Sequence, residues 1–150
     1  MKHSDMDVPK DIADEEDVAR IIFSPSMVIN GKVAPSAFFM DNLHSGPESY
    51  ISVWRSSYKV PTKENITFKA RKKGDNLAGY ATIGVAECHA INFEDYNTKI
   101  KPHPNISNPA HAGIHINKGV NAVKGQCYDP SYLMLATIIA GKCVLVTFND

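Results

Sequence analysis

Short apolar runs separated by polar, turn-forming segments dominate this chain, and that pattern predicts many strands and few helices. The strand-like runs lie at 18–23, 27–29, 32–33, 50–54, 98–101, 110–116 and 143–148. In the run at 50–54, the side chains of Tyr50, Ser52 and Trp54 would share one face of a strand. Asn30 and Gly31 separate two of these runs and are a strong signal for a tight hairpin turn.

Two segments carry helix signals. Pro61 precedes a charged stretch that predicts a helix from residue 62 to about residue 73, with Thr62 as its N-cap and Asn65 as the capping partner. Pro130 begins the strongest helical pattern of the chain, which we expect to end at Gly141.

The small and apolar residues at 79–91 predict a long central strand, on which Glu87 and His89 would share one face. Because the predicted strands and helices do not alternate regularly, the pattern argues against a doubly wound parallel sheet. We therefore expect a single α+β domain at 18–150, with a largely antiparallel sheet of five to seven strands and two or three helices.

The charges are balanced overall but unevenly distributed. The 150 residues include 16 Lys and Arg and 16 Asp and Glu, so a general attraction to nucleic acid or to an anionic membrane is not expected. Residues 1–17 are mostly acidic, whereas 59–73 are rich in lysine and form a short basic patch near Phe68. We expect an acidic N-terminal arm at 1–17, and nucleic-acid binding has weak support.

The cysteines and the N-terminus indicate a compartment. Cys88, Cys127 and Cys143 are widely separated and form no CxxC motif, which fits a reducing environment. The first residues lack the apolar run of a signal peptide, and no stretch approaches the roughly 18 apolar residues of a membrane span. We expect a cytoplasmic protein without a membrane partner.

The six histidines raise the question of a metal site. His111 and His115 would share one face of a helix, but Gly113 and its neighbours favour a strand. On a strand the two imidazoles would lie about 13 Å apart, too far to bind one ion. A site built from His89, His103 and His111 on separate strands stays open, but we expect no metal ligands and no cofactor.

Established catalytic motifs are absent from the sequence. There is no G-x-S-x-G elbow and no glycine-rich phosphate-binding loop. An active site assembled from several strands would use Arg20, Ser52 and His111, with help from Glu87 or His89, and Tyr50 is an alternative to Ser52 as the hydroxyl.

Two blocks of the chain resemble a widespread group of small bacterial proteins to which no activity is assigned. In that group an arginine precedes a Pro-Ser-Ser-Ala-Phe-like segment, a Ser-Val strand and a Pro-Ala-His-Ala segment. The corresponding residues here are Arg20, Pro35-Ser36-Ala37-Phe38, Ser52-Val53 and Pro109-Ala110-His111-Ala112. The resemblance covers roughly residues 18–116, with one serine in the first block where the group often has two. It implies a shared architecture and a shared site, and an association with bacterial conflict and phage-defence operons.

Two functions follow as hypotheses. The first is a non-enzymatic interaction subunit or regulator that binds a protein partner within a larger bacterial assembly, of the phage-defence or toxin–antitoxin type. The second is a small nucleotide- or RNA-directed enzyme or toxin that uses Arg20, Ser52 and His111. Convergence of these three side chains in one partly accessible site would favour the enzyme. The sequence leaves open whether the protein is an enzyme and what its oligomeric state is.

Overall fold

The computed structural model describes residues 7–39, 50–70, 72–116 and 130–148, and its main feature is a seven-stranded antiparallel sheet. The strands of the chain are β1 (Asp17–Ser24), β2 (Val28–Ile29), β3 (Lys32–Val33), β4 (Ile51–Arg55), β5 (Asn76–Gly84), β6 (Asn92–Phe93), β7 (Tyr96–Pro102), β8 (His111–Ile116) and β9 (Val144–Thr147). In the large sheet they follow the order β6-β7-β8-β4-β1-β5-β9, while β2 and β3 pair separately. The helices are a short 3-10 helix (Pro35–Phe38), α1 (Val85–His89) and α2 (Pro130–Lys142). The predicted α+β class is confirmed.

One face of the sheet, here called the core face, packs under α2 and the 3-10 helix. Its central side chains are Val18, Ile22, Ile51, Val53, Ala112 and Ile114. The helix α2 buries one stripe at positions spaced by three and four residues: Tyr132, Leu135, Ala136, Ile139 and Ala140. The hydroxyl of Tyr132 donates to the carbonyl of Phe38 at 2.6 Å, which ties α2 to the 3-10 helix.

The other face, here called the opposite face, carries a smaller apolar cluster formed by Ile21, Phe23, Trp54 and Ile66. Antiparallel partners lie on the same face, so the pairing of Trp54 with His111 and of Ser52 with Gly113 places all four on the opposite face. The predicted hairpin is present between β2 and β3, with Asn30 at φ 52° and Gly31 at φ 76°.

The predicted helix from residue 62 to about 73 is wrong. Its cap does form, because the Thr62 N–H donates to Asn65 Oδ1 at 2.8 Å and the Asn65 N–H donates to Thr62 Oγ1 at 3.1 Å. The described residues that follow are irregular instead of helical, with Ile66 buried on the opposite face and Phe68 in edge contact with Phe23. Burial of Ile66 against the sheet, together with the contact of Phe68 on Phe23, outweighs the local helix signal.

The predicted strand at 79–91 is correct only in its first half. β5 ends at Gly84 and the chain continues as α1, which buries Val85 and Cys88. The first amides of α1 donate to the preceding acidic segment, from Val85 to the Glu16 carbonyl at 2.8 Å and from Ala86 to the Asp14 carbonyl at 3.2 Å. These carbonyls accept the first N–H groups of α1, which have no partner within the helix. No pattern within residues 79–91 indicates that a helix begins there.

The part of the acidic arm that the structure describes, residues 7–16, is anchored by a buried arginine. Arg55 donates to both carboxylate oxygens of Glu16 at 2.8 Å, to the Pro9 carbonyl at 2.6 Å and to the Asp11 carbonyl at 3.1 Å. Burial raises the pKa of Glu16, but the hydrogen bonds from Arg55 and from the Ala13 N–H outweigh it and hold that pKa below its usual value. Residues 1–6 of the predicted arm lie outside the described residues.

Within the described ranges, we find no helix with the length and apolar character needed to cross a membrane.

Candidate functional site

Ser52 on β4 and His111 on β8 form a hydrogen-bonded pair on the opposite face. Their strands are neighbours, and the Ser52 Oγ lies 2.6 Å from the His111 Nε2. Both side chains are half-buried, so the pair is partly accessible from solvent. The structure therefore brings together two of the three residues predicted for an active site.

A backbone carbonyl orients the imidazole of His111. Its Nδ1 lies 2.9 Å from the carbonyl oxygen of His103. Because a carbonyl can only accept, Nδ1 carries the proton in the neutral ring, and Nε2 is left to accept from the Ser52 hydroxyl. The arrangement supplies a hydroxyl, a base and a group that orients the base, which is the geometry of an activated nucleophile.

The loop between β7 and β8 brings the His103 carbonyl to this position. The His103 N–H donates to the His111 carbonyl at 2.9 Å, which continues the pairing of the two strands. Further along the loop, the backbones of Asn105 and Asn108 bond each other in both directions at 3.2 Å. These bonds close the loop and hold the carbonyl against the imidazole.

Arg20 contacts the same strand from the core face, which it shares with Val18 and Ile22 by strand alternation. Its Nε donates to the Ala37 carbonyl at 2.9 Å and one terminal nitrogen donates to the Ser52 carbonyl at 3.0 Å. Arg20 therefore holds the backbone of Ser52 in place, and these contacts do not bring it to the hydroxyl–imidazole pair.

Three aromatic rings extend the site: Tyr50, His103 and His115. Tyr50 stacks on His103 with ring centroids 4.0 Å apart and planes 4° apart, and its centroid lies 5.3 Å from that of His115. The Nε2 atoms of His103 and His115 are 2.7 Å apart, so one of them donates and the other accepts. Tyr50 also meets His111 edge to face, with centroids 6.2 Å apart.

Gly113 makes room for this cluster. A Cβ atom at position 113 would lie 2.2 Å from Tyr50 Cδ1, far inside contact distance. Only glycine lets the tyrosine ring lie against β8 between His111 and His115. The glycine in this His-x-Gly-x-His segment therefore has a packing role.

The segment 111–116 is a strand, as expected, and His111 and His115 flank Gly113 on the same face. No three His, Cys, Asp or Glu side chains among residues 7–39, 50–70, 72–116 and 130–148 are grouped so that they could bind a metal ion. In particular, His89, His103 and His111, the set that the sequence leaves open, do not assemble into such a group.

Glu87 and His89 do not join the Ser52–His111 pair. Both lie in α1, and Glu87 is exposed. His89 Nε2 accepts the backbone N–H of Ile100 on β7 at 3.0 Å, and its Nδ1 lies 3.8 Å from Asp14. His89 thus satisfies a strand amide, and β8 lies between that strand and β4.

The two described cysteines are poor nucleophiles. Burial raises the pKa of the Cys88 thiol, and burial chiefly raises the pKa of Cys143 to about 12. Both are free thiols. Cys127 lies outside the described residues.

The sequence interpretation considered Tyr50 as an alternative hydroxyl and His103 as a possible metal ligand, and it missed the stacking of Tyr50 on His103, the role of the His103 carbonyl and the position of His115. One signal was available, since Tyr50 shares the alternation of Ser52 and Trp54. The role of the His103 carbonyl had no such signal, because any residue carries a carbonyl. Comparisons with protein families, curated proteins and solved structures find no match for this chain.

Proposed function

We propose that this protein is an enzyme in which Ser52 is the nucleophile and His111 is its general base, acting on a phosphate group of a nucleotide or RNA. The observation that carries the proposal is the 2.6 Å contact between the Ser52 Oγ and an imidazole nitrogen that is free to accept its proton. The other ring nitrogen is held by the His103 carbonyl, so the ring needs no rearrangement before it acts.

The reaction proceeds in two steps. The Ser52 Oγ attacks phosphorus while its proton passes to His111 Nε2, and the bond from phosphorus to the leaving oxygen breaks as His111 returns that proton to the leaving group. Water then attacks the phosphoserine, giving a proton to His111, and the bond between phosphorus and the Ser52 Oγ breaks as the proton returns to the Oγ. An acceptor hydroxyl in place of water would make the same cycle a transfer reaction.

Charge supports a phosphate-bearing substrate. The strands β4 and β8, which carry the pair, and β7, which adjoins β8, contain no Asp or Glu. On β1, which adjoins β4, the one acidic residue is Asp17 at the first position of the strand. Histidine and lysine side chains share the opposite face with Ser52, so an anionic substrate meets no repelling carboxylate from β4, β7 or β8.

Arg20 acts as a positioning residue in this scheme. Its two hydrogen bonds fix the Ser52 carbonyl against Ala37, and a nucleophile must be held closely to react efficiently. We expect substitution of Arg20 to slow the reaction without changing which atoms react.

A fluorophosphonate probe tests the proposal, because it phosphonylates an activated serine and releases fluoride. We expect labelling of Ser52 in the full chain, located by intact mass and peptide mapping. Ser52→Ala should abolish the mass shift. His111→Ala and His111→Gln should slow labelling by about 10²- to 10⁴-fold, the usual contribution of a general base.

Ser57→Ala is the matched control, because Ser57 is an exposed serine whose Oγ accepts only a backbone N–H, from Asp17 at 2.9 Å. Its labelling should equal that of the natural chain. An unlabelled Ser52 in the natural chain, or equal labelling rates in folded His111 variants, would contradict the proposal. Folding of each variant is checked by circular dichroism.

The interaction-subunit hypothesis, with its protein partner, stays a prediction, as do the cytoplasmic location and the resemblance to the small bacterial proteins. Arg20 does not join Ser52 and His111, so the convergence of all three side chains is not met. The enzyme is favoured here because Ser52 and His111 alone meet at a partly accessible position.

A further inference from the structure

We propose that the opposite face around the Ser52–His111 pair binds single-stranded nucleic acid, with Lys99 and Lys101 contacting phosphates and Tyr50 contacting a base. The inference rests on the proposed function, since it names the substrate class of that same site. It is argued from strand register, from charge and from the position of an aromatic ring.

Strand register places the two lysines on the same face as the catalytic pair. Lys99 pairs with His115, and Lys101 pairs with Gly113. Gly113 in turn pairs with Ser52 on β4. Since directly opposed residues of antiparallel strands lie on the same face, Lys101, Gly113 and Ser52 form a row across three strands.

The lysines are exposed and regularly spaced. Lys99, Lys101 and His103 occupy alternate positions along β7 and its continuation, so neighbouring side chains start about 6.8 Å apart. That repeat resembles the spacing of phosphates along an extended single strand. Two lysine cations at this spacing match successive phosphates of a backbone better than they fit one isolated anion.

Tyr50 lies beside this row and next to the reacting pair. Its ring stacks on His103, lies near the ring of His115 and packs over Gly113, and these contacts leave it half-buried, with part of the side chain accessible to a ligand. Proteins bind unpaired bases by stacking them on aromatic side chains beside positively charged groups, because every base has a face that can stack. A duplex would not offer such a base, so the ring favours a single strand.

Fluorescence anisotropy with labelled oligouridylate and oligothymidylate of about twelve nucleotides tests the inference. The Ser52→Ala chain is used so that binding is measured without turnover. We expect saturable binding that weakens with salt. In Lys99→Ala/Lys101→Ala, the slope of log affinity against log salt should become shallower by about 1.4, which is 0.7 for each lost phosphate contact.

Tyr50→Leu should weaken binding roughly 5- to 140-fold, which corresponds to about 1–3 kcal/mol for one stacked base at 1.4 kcal/mol per tenfold. Tyr50→Phe keeps the ring and should bind as the natural residue does. Equal affinity for the two oligomers would indicate recognition of the backbone, and tighter binding of the RNA would indicate contacts to the 2′-hydroxyl. Both results support the inference.

Lys72→Ala/Lys73→Ala is the matched control, because it removes two exposed lysines from the basic patch at 59–73. It should leave the salt slope unchanged. The inference is overturned if neither oligomer binds near 50 mM salt, if the slope falls only in the control variant, or if Tyr50→Leu binds normally. Fluorophosphonate labelling of Ser52 is independent of these results, so the two proposals can fail separately.

Discussion

Two polar clusters lie three positions apart on β4, and they differ in almost every physical property. At Arg55 the chain buries a guanidinium completely and surrounds it with the Glu16 carboxylate and two backbone carbonyls. At Ser52 the polar groups are half-exposed, and their partners include rings, a hydroxyl and a carbonyl.

The difference separates a structural cluster from a chemical one. A buried cation that meets a carboxylate and has its remaining donors satisfied is closed to any ligand and joins the N-terminal segment to the sheet. The Ser52–His111 pair contains no fixed negative charge and is accessible to solvent. Its hydroxyl lies within hydrogen-bond distance of an imidazole nitrogen that can accept its proton. Polarity alone would not distinguish the two clusters, but exposure and charge compensation do.

The largest expected effect on stability comes from breaking the closed cluster. Glu16→Gln leaves the Arg55 guanidinium buried without its counter-charge, and we expect a loss of about 3–5 kcal/mol in the free energy of unfolding. Urea denaturation followed by circular dichroism measures it. Glu15→Gln is the control, since Glu15 is exposed, and it should change stability by less than about 0.5 kcal/mol. A loss below about 1 kcal/mol in Glu16→Gln would mean that the pair is not structural.

The same ion pair predicts a pH dependence. The pKa of Glu16 in the folded chain lies below its ordinary value of 4.5, so its stabilising contribution is complete above that value and is lost as the pH falls through the folded-state pKa. Between about pH 7 and pH 3, the natural chain should therefore lose more stability than Glu16→Gln. Parallel slopes in the two proteins would contradict this assignment.

A pair of glycine substitutions probes the open cluster. In Gly113→Ala the new methyl group must displace Tyr50, and we expect a loss of about 1–3 kcal/mol together with slower probe labelling of Ser52. Gly141→Ala is the matched control, because Gly141 is exposed near the end of α2 with nothing within 4 Å of an added Cβ. It should be neutral or stabilising by up to about 1 kcal/mol. Equal losses of stability in the two variants would contradict the packing role assigned to Gly113.

The smallest expected effect on stability comes from the Ser52 hydroxyl, the proposed nucleophile. Ser52→Ala removes one hydrogen bond at a half-exposed position, so the free energy of unfolding should fall by about 0.5–1.5 kcal/mol at most. Thermal denaturation measures the change. A loss of stability as large as that of Glu16→Gln would show that Ser52 has a structural role like that of Arg55, and the distinction between the two clusters would be wrong.

The sequence pattern predicts the structure correctly where the local hydrophobic periodicity and the turn residues agree with the tertiary structure. Alternation at 50–54 predicted the common face of Ser52 and Trp54, and Asn30-Gly31 predicted its hairpin. It failed at 62–73, where contacts made by Ile66 and Phe68 override a genuine cap. It also failed after Gly84, where the amides that begin α1 find partners in Asp14 and Glu16, far away in the sequence.

For the candidate site, too, the sequence predicts some features correctly and not others. Residue types identified Arg20, Ser52 and His111, and the antiparallel sheet brings all three to neighbouring strands. The face on which each acts depends on register, which local sequence does not specify for strands far apart in the chain. Arg20 consequently reaches Ser52 through its carbonyl, and Glu87 and His89 leave the sheet in a helix.

The carbonyl that orients His111 cannot be removed by mutating a side chain. His103→Ala would delete the ring that stacks on Tyr50, yet the oxygen that holds the imidazole would remain. A one-residue insertion between His103 and His111 would keep every side chain and displace that oxygen. If the proposed function holds, the length of this hairpin loop matters to the site as much as any residue in it, and homologues would have to preserve the spacing even where the residues differ.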